Sequence, residues 1–107
     1  MSEPRGLVVL CTVPNEEEGA RLARALVDER VAACVNLLPG VRSFYRWEGE
    51  VKDDPELLLV IKTTPARRDA LIARIQALHS YSCPEAIALP IAAGSEPYLR
   101  WLGEVTA

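Results

Sequence analysis

The sequence is poor in the residues that build disulfide frameworks and histidine-rich metal centres. Its 107 residues include three cysteines and one histidine. The cysteines are odd in number, lie far apart and form no C-x-x-C pair, which argues against a disulfide framework. We expect Cys11, Cys34 and Cys83 to be free thiols.

The chain also lacks a surplus of basic residues and any long apolar run. Its net charge is −3 and its pI is near 5.2, so there is no basic field for nucleic acid phosphates. No apolar segment approaches the roughly 20 residues that cross a bilayer. The start of the chain, residues 1–4, carries one acidic residue and lacks the form of a signal peptide, in which a positively charged segment precedes an apolar one. We therefore expect a cytoplasmic protein without nucleic acid or membrane partners.

The remaining composition is that of one ordinary domain. Half of the residues, 50%, are hydrophobic and 25% are charged. This length and composition give room for a single hydrophobic core. No linker or low-complexity tract interrupts the chain, so we predict one domain over residues 1–107.

The first part of the chain predicts a strand followed by a helix. Residues 7–13 are β-rich, and the run stops at Pro14, which cannot donate to a strand ladder. Asn15 is suited to cap a helix that ends near Arg30, and Glu18 stands at the capping-box position. Apolar residues then recur at helical spacing, which predicts one face turned towards the core.

The second half repeats this pattern. Thr64 is the predicted cap of a second helix, and Pro65 suits the first turn of that helix. The helix is predicted to end near His79. A further strand is predicted over residues 85–91, where an internal proline favours an edge position. Ser95 predicts the cap of a short terminal helix.

Between the two halves lies a predicted long hairpin over residues 32–63. Residues 41–47 are rich in aromatic side chains, residues 57–61 are apolar, and the turn lies within residues 47–51. A protruding hairpin leaves backbone edges and rings uncovered, which favours cover by another chain. We predict that Tyr45 and Trp47 are interface anchors.

This order predicts an α+β fold of the ferredoxin-like, split βαβ type, with order βαββαβ plus a terminal helix. Right-handed crossovers put both main helices on one face of the sheet. Residues 7–13 and 57–61 are nevertheless apolar at consecutive positions, as in strands buried on both faces. Burying apolar area contributes about 25 cal/mol per Å². We therefore predict an obligate homo-oligomer.

Short sequence blocks in a fixed order carry a family resemblance. They are VLCTVP (residues 9–14), AACVN (32–36), PG (39–40), YRWEGE (45–50), LVIKTT (59–64), LHSY (78–81), CPE (83–85), LPI (89–91) and YLRWL (98–102). Together they resemble the CutA family of divalent-cation tolerance proteins, over nearly the whole chain. The resemblance implies a homotrimer of ferredoxin-like subunits, related in shape to the PII signalling proteins. It also implies tolerance to copper and other divalent metals, with no organic cofactor.

The resemblance further implies a metal site. The family's first-strand cysteine and the histidine after its second helix correspond to Cys11 and His79, with the carboxylate of Glu85 as a further candidate. Thiolate, imidazole and carboxylate groups suit copper and zinc. This chain departs from the family at Leu78, where some members have a second histidine, and at Ser80, which replaces the usual proline. Both departures would weaken or reshape the site.

Each candidate ligand also has a purely structural explanation. Free cysteine in an apolar strand, such as Cys11, usually acts as a small core hydrophobe. His79 lies near a helix end, where a cation is favoured by the helix dipole. Glu85 is explained equally well as a solvated charge or as an exposed partner of Lys62. The sequence alone leaves these alternatives open.

Three other functional classes are alternatives to a metal-binding protein. An RNA-binding module would need exposed aromatic and basic residues on the central strands, which are apolar here. An enzyme would need a nucleophile with a base or a carboxylate pair, and we expect no catalysis. The strongest alternative is a PII-like sensor or scaffold, which would hold a small anion between subunits near Arg46, Lys62 and Arg67.

Overall fold

The computed structural model describes residues 4–107. The predicted absence of a signal peptide rests partly on residues 1–3, which lie outside the described residues. The described residues form four strands, three α-helices and a 3-10 helix. In chain order these are β1 (Leu7–Val13), α1 (Glu16–Asp28), β2 (Cys34–Trp47), β3 (Glu50–Thr63), the 3-10 helix (Pro65–Arg67), α2 (Arg68–Leu78), β4 (Ile87–Pro90) and α3 (Glu96–Val105). The predicted order of elements is confirmed. Within residues 4–107, no helix has the length and apolar character needed to cross a membrane.

The strands form one antiparallel sheet in the order β2-β3-β1-β4. β1 pairs with β3 from Leu7 opposite Thr63 to Val13 opposite Leu57. β4 is an edge strand, as its proline predicted, but it begins at Ile87 and is shorter than the predicted residues 85–91. This topology is the predicted split βαβ arrangement.

The core lies between the sheet and the two main helices. Along β1 the odd-numbered side chains are buried and the even-numbered ones are half-buried. This alternation means that the odd positions face the helices. The cluster consists of Val9, Cys11, Val13, Leu22, Leu26, Val31, Ala32, Leu59, Ile61, Leu71 and Ile75.

The opposite face of the sheet is apolar and is not fully covered within one chain. Cross-strand partners share a face, so the register identifies its members. We call this surface the open sheet face; its apolar members are Val8, Leu10, Leu38, Leu58, Val60, Ile87 and Leu89, and Thr12, Asn36 and Lys62 lie among them. Its members are half-buried at the centre and exposed at the edges. A single chain therefore leaves uncovered the face that the sequence predicted to be buried.

The start of α1 confirms one capping prediction and corrects another. The side-chain oxygen of Asn15 accepts a hydrogen bond from the Glu18 N–H at 2.8 Å, as predicted for an N-cap. The Glu18 carboxylate does not complete a capping box. It accepts hydrogen bonds from Ser80 in the loop after α2. The carboxylate is therefore used for a tertiary contact.

The other two predicted cap residues, Thr64 and Ser95, stand at the start of their helices but make no capping hydrogen bond. Thr64 precedes the 3-10 helix that leads into α2, but its side chain makes no capping hydrogen bond. Its hydroxyl lies 3.3 Å from the hydroxyl of Thr106, at the end of α3. Ser95 stands at the N-cap of α3, also without a side-chain hydrogen bond. Arg67 Nε donates to the Thr106 carbonyl at 2.6 Å, so the end of α3 is held against the start of α2.

The predicted hairpin over residues 32–63 is confirmed, and its turn lies within the predicted residues 47–51. The strand of its second arm extends beyond the apolar run 57–61, because β3 begins at Glu50, directly after a two-residue turn. In the turn, Glu48 has φ 52° and Gly49 has φ 81°. Two positive φ values are typical of a type I′ turn, whose twist matches that of the strands. The paired strands contribute to a long axis of 44 Å for the molecule.

Replacing Glu48 with asparagine is expected to stabilise the hairpin turn. Glutamate is strained in the left-handed region, whereas asparagine tolerates it and suits type I′ turns. We expect Glu48→Asn to raise the free energy of unfolding by about 0.5–1 kcal/mol. Urea unfolding at a fixed protein concentration measures this change. Glu50→Asn, which changes a neighbouring strand residue, is the control and should give no gain.

Candidate functional site

A cleft opens where the end of β1, the hairpin and the loop after α2 meet. Its volume is about 450 Å³, within the range of about 300–1,000 Å³ that is typical of small-molecule sites. We call it the acidic cleft, because the described residues that line it include two carboxylates and no basic side chain. The lining residues are Thr12, Ser43, Phe44, Tyr45, Trp47, Glu56, Tyr81, Ser82, Cys83 and Glu85.

Glu18 ties the loop on one side of the acidic cleft to α1. Its side chain is nearly buried, with 7% exposure. It accepts hydrogen bonds from the Ser80 backbone N–H at 3.0 Å and from the Ser80 hydroxyl at 2.9 Å. Burial alone raises the pKa of Glu18, but these hydrogen bonds, together with the positive charge of Arg21, lower the pKa below its usual value. Glu18 is therefore held as a carboxylate at neutral pH.

His79 lies beneath the acidic cleft, with both ring nitrogens engaged. Its Nε2 lies 2.8 Å from the Thr12 carbonyl oxygen, and its Nδ1 accepts a hydrogen bond from the Tyr81 N–H at 3.0 Å. These partners require the neutral tautomer with the proton on Nε2. A bond from one ring nitrogen to a carbonyl is typical of histidine ligands. The lone pair on Nδ1, however, is free for a metal only if the Tyr81 amide moves away.

Cys11 lies in the core, with no exposed surface. Burial, and then the negative charges of Glu85, Glu18 and Glu56, raise the pKa of the Cys11 thiol to about 12. Metals bind the thiolate form, and Cys11 is a neutral thiol at pH 7. In this conformation Cys11 acts as the small core hydrophobe that the sequence allowed.

The three thiols are expected to differ strongly in reactivity. Cys83 is exposed, Cys34 is partly buried and Cys11 is buried. Iodoacetamide at pH 8 should therefore alkylate Cys83 first and Cys11 only after unfolding in urea, because the reagent attacks accessible thiolates. Peptide mass spectrometry at successive times measures the order. Labelling of Cys11 in the native protein at a rate near that of Cys83 would contradict this placement.

Glu85 is the predicted ligand that reaches the acidic cleft, and Cys83 accompanies it there. Both side chains are exposed and line the cleft, whereas Cys11 and His79 lie behind it. In the part of the chain that the structure describes, no group of three or more His, Cys, Asp or Glu side chains is placed to hold a metal ion. The proposed set of Cys11, His79 and Glu85 is thus not preformed. Lys62, the other partner considered for Glu85, donates to Asn36.

The structure adds two cleft residues, Glu56 and Tyr81, that the sequence analysis did not predict as site residues. Glu56 stands at the head of an apolar run, where its charge suggests solvent, yet it is buried. It accepts a hydrogen bond from the Tyr81 hydroxyl at 2.7 Å. Burial and this bond raise the pKa of Tyr81, which stays a neutral donor. A charge placed directly before Leu57 in such a run was the one available hint.

The basic residues considered for an anion site do not converge within one chain. Arg46 lies near the hairpin turn, and Lys62 lies near the other end of β3. The ladder partner of Arg46 is eleven positions from Lys62 on β3, which corresponds to about 36 Å. The side chains of Lys62 and Arg67 are bound to Asn36 and Thr106. An anion site built from all three would need more than one chain, and it stays a prediction.

The predicted interface anchors form part of the cleft wall. Tyr45 and Trp47 are each 41% exposed. The Tyr45 hydroxyl donates to Asp54 at 2.5 Å, which fixes the ring. Both rings have exposed area left to bury, so their role between subunits stays a prediction.

Comparisons with known proteins agree on one family. A family model described as CutA1 divalent ion tolerance protein matches residues 7–105. The divalent-cation tolerance protein CutA of Thermus thermophilus is 57% identical over 99 residues, which cover 92% of this chain and 96% of that protein. The chloroplastic protein CutA of Arabidopsis thaliana is 50% identical, and the match covers 94% of this chain but only 55% of the plant protein.

Solved structures give the same result. The structure of the Thermus thermophilus protein has a TM-score of 0.92 at 55% identity and is covered to 99%, with 95% of this chain aligned. CutA from Xylella fastidiosa has a TM-score of 0.94 at 39% identity, with 96% of this chain and 99% of that chain aligned. The resemblance stated from the sequence blocks is confirmed, and the chain belongs to the CutA1 family of divalent ion tolerance proteins.

Proposed function

We propose that this protein is a homotrimer that binds divalent metal ions, copper or zinc, in the acidic cleft and acts in divalent-cation tolerance without catalysis. The observation that carries the proposal is the charge of the cleft, whose described lining has two carboxylates and no basic side chain. Such a cleft concentrates cations and repels anions. Family membership supports the tolerance role.

The accessible ligands in this proposal are Glu85 and Cys83. A thiolate and a carboxylate suit zinc and copper, and both side chains are exposed at the cleft. Glu56 adds negative charge behind them, but its carboxylate already accepts the Tyr81 hydroxyl. Two protein ligands leave coordination positions for water or for a group from another subunit.

The ligand set implied by the family resemblance, Cys11 and His79 with Glu85, is the competing version of the site. His79 would join only after the Tyr81 amide releases Nδ1, and Cys11 only after it loses its proton. Either change costs free energy that the metal would have to supply. The two ligand sets share Glu85, but they differ in the cysteine and in the presence of His79, so substitutions can separate them.

Trimer formation is supported by the open sheet face. Its apolar side chains stand uncovered in one chain, and burying them between subunits is favourable. Tyr45 and Trp47 are the proposed anchors from the hairpin, since large rings dominate such interfaces.

A zinc titration of the metal-free protein against a competing chelator tests the proposal. Zinc avoids the redox chemistry of copper with thiols. Glu85→Gln and Cys83→Ser should each weaken binding at least about tenfold, or about 1.4 kcal/mol, whereas Cys11→Ser should not. Cys34→Ser is the matched control, because Cys34 lies at the far end of the sheet from the cleft.

The outcomes separate the versions of the site. Loss of zinc affinity in Cys11→Ser and His79→Ala, with Cys83→Ser unchanged, would establish the ligand set implied by the resemblance. Unchanged affinity in Glu85→Gln would contradict both ligand sets. Light scattering on each variant checks that the assembly is intact.

A further inference from the structure

The acidic cleft has an aromatic wall that metal binding does not explain. Ser43, Tyr45 and Trp47 occupy alternate positions of β2, so their side chains leave the same face of the strand. Phe44 also lines the cleft, but it leaves the other face of the strand, where its ring lies 5.0 Å from the Arg42 guanidinium. The face that carries Tyr45 and Trp47 therefore contributes two rings to the wall, and Tyr81 supplies a third from the loop after α2.

Two of these rings are held in place by carboxylates. The Tyr45 hydroxyl donates to Asp54 at 2.5 Å, and the Tyr81 hydroxyl donates to Glu56 at 2.7 Å. A phenol that donates to a carboxylate has a more electron-rich ring, which strengthens its attraction for a cation. Rings that are already fixed lose little conformational freedom when a ligand binds. The wall is thus built before any ligand arrives.

Two basic groups near the wall are paired with carboxylates, and a third, Arg46, leaves the face of β2 opposite to Tyr45 and Trp47. Lys52 lies opposite Tyr45 across the hairpin, and its ammonium group lies 3.0 Å from the Glu50 carboxylate. Arg42 makes hydrogen bonds of 2.9 and 2.8 Å to Asp53. The faces of the Tyr45 and Trp47 rings retain exposed area.

Ring faces select a kind of cation different from a small metal ion. They offer no lone pair for coordination, but they attract poorly hydrated cations through the negative potential of the ring face. A methylated ammonium group has no N–H donor to satisfy and sheds its water at low cost. We propose that the cleft also binds a small organic cation with a quaternary ammonium group, against Tyr45, Trp47 and Tyr81, with Glu56 and Glu85 as counter-charges.

This inference rests on the proposed preference of the cleft for cations, but it uses different side chains. Choline is the probe, and 3,3-dimethyl-1-butanol is its neutral analogue of nearly the same shape. Isothermal titration of the assembled wild-type protein should show choline binding at least about tenfold more tightly than the neutral analogue. Equal binding of the two compounds, or no choline binding, would overturn the inference.

Two matched variants locate the binding. Trp47→Leu removes a ring of the wall and should weaken choline binding at least about fivefold. Trp101→Leu makes the same change on α3, at a ring that is exposed but is not among the residues that line the cleft, and should leave choline binding unchanged. Equal losses in both variants would overturn the assignment to this wall.

Zinc binding separates this inference from the proposed function. Trp47→Leu should keep its zinc affinity, because the ring coordinates no metal. Since Trp47 is also a proposed interface anchor, both titrations are run at a protein concentration at which light scattering shows the variant assembled like the wild type. If Trp47→Leu lost zinc and choline together, the ring would merely shape the cleft and the inference would fall. If the wild type bound choline but not zinc, the metal proposal would fall and the inference would stand.

Discussion

Replacing Val60 with aspartate is expected to convert the proposed trimer into monomers. Val60 lies at the centre of the open sheet face, paired with Leu10 on β1 and Asn36 on β2. If this face packs between subunits, the new carboxylate would be buried without a partner, which costs several kcal/mol. In the single chain Val60 is only half-buried, so the monomer can keep its fold. Light scattering should show a fall from three chains to one.

The control for this prediction makes the same chemical change elsewhere. Val27 lies on α1 and is 41% exposed, away from the sheet. Val27→Asp should keep the mass of the wild type. Circular dichroism on both variants confirms that each is folded. A Val60→Asp protein that remained a trimer would show that the open sheet face is not the interface.

Replacing Glu18 with alanine is expected to destabilise the chain by about 3 kcal/mol, because two hydrogen bonds to a charged acceptor are lost. The Ser80 N–H and hydroxyl would both lose their acceptor in a part-buried position. Urea unfolding at pH 7 and fixed protein concentration measures the change. Glu17→Ala, in the same helical turn but exposed, is the control. Equal losses in the two variants would contradict a special role for Glu18.

The contribution of Glu18 should also depend on pH in a defined direction. Its pKa is lower in the folded protein than its usual value of 4.5. Such a group stabilises the fold fully above its unfolded pKa, and the stabilisation is lost as the pH falls through the folded pKa. The stability gap between the wild type and Glu18→Gln should therefore be constant near neutral pH and shrink below about pH 4. A gap that widened on acidification would contradict this assignment.

Secondary structure was predictable where the signals are local. The bounds of β1 follow from a β-rich run closed by Pro14, and Asn15 marks the start of α1. The first half of β3 was not predictable, because its charged residues and Pro55 are poor strand formers. Pairing with β2 overrides this propensity, aided by the bond between Arg42 and Asp53. Pro55 is tolerated because this half of β3 pairs with β2 and lies beyond the β1 ladder.

The site was less predictable, because its contacts join distant parts of the chain. Glu18 fits a local capping rule, and nothing in its spacing indicates a partner at Ser80. Cys11 lies in a run that is apolar at nearly every position, so the sequence hides which side chains face the helices. A shift of one residue would exchange the two faces. Family resemblance brought Glu85 to attention, and the structure places both Glu85 and Cys83 in the lining of the cleft. The candidacy of Cys83 emerged only from the structure.

The place of β1 in the sheet has a consequence for synthesis on the ribosome. β1 emerges first, but its partners are completed only at Thr63 and Pro90. At about 5–20 residues per second, the roughly 27 residues between these points take about 1–5 s to translate. During that interval β1 has one occupied edge and one free edge, which is a template for wrong pairing with another nascent chain. Translation speed through residues 64–90 thus sets how long each new chain is open to aggregation.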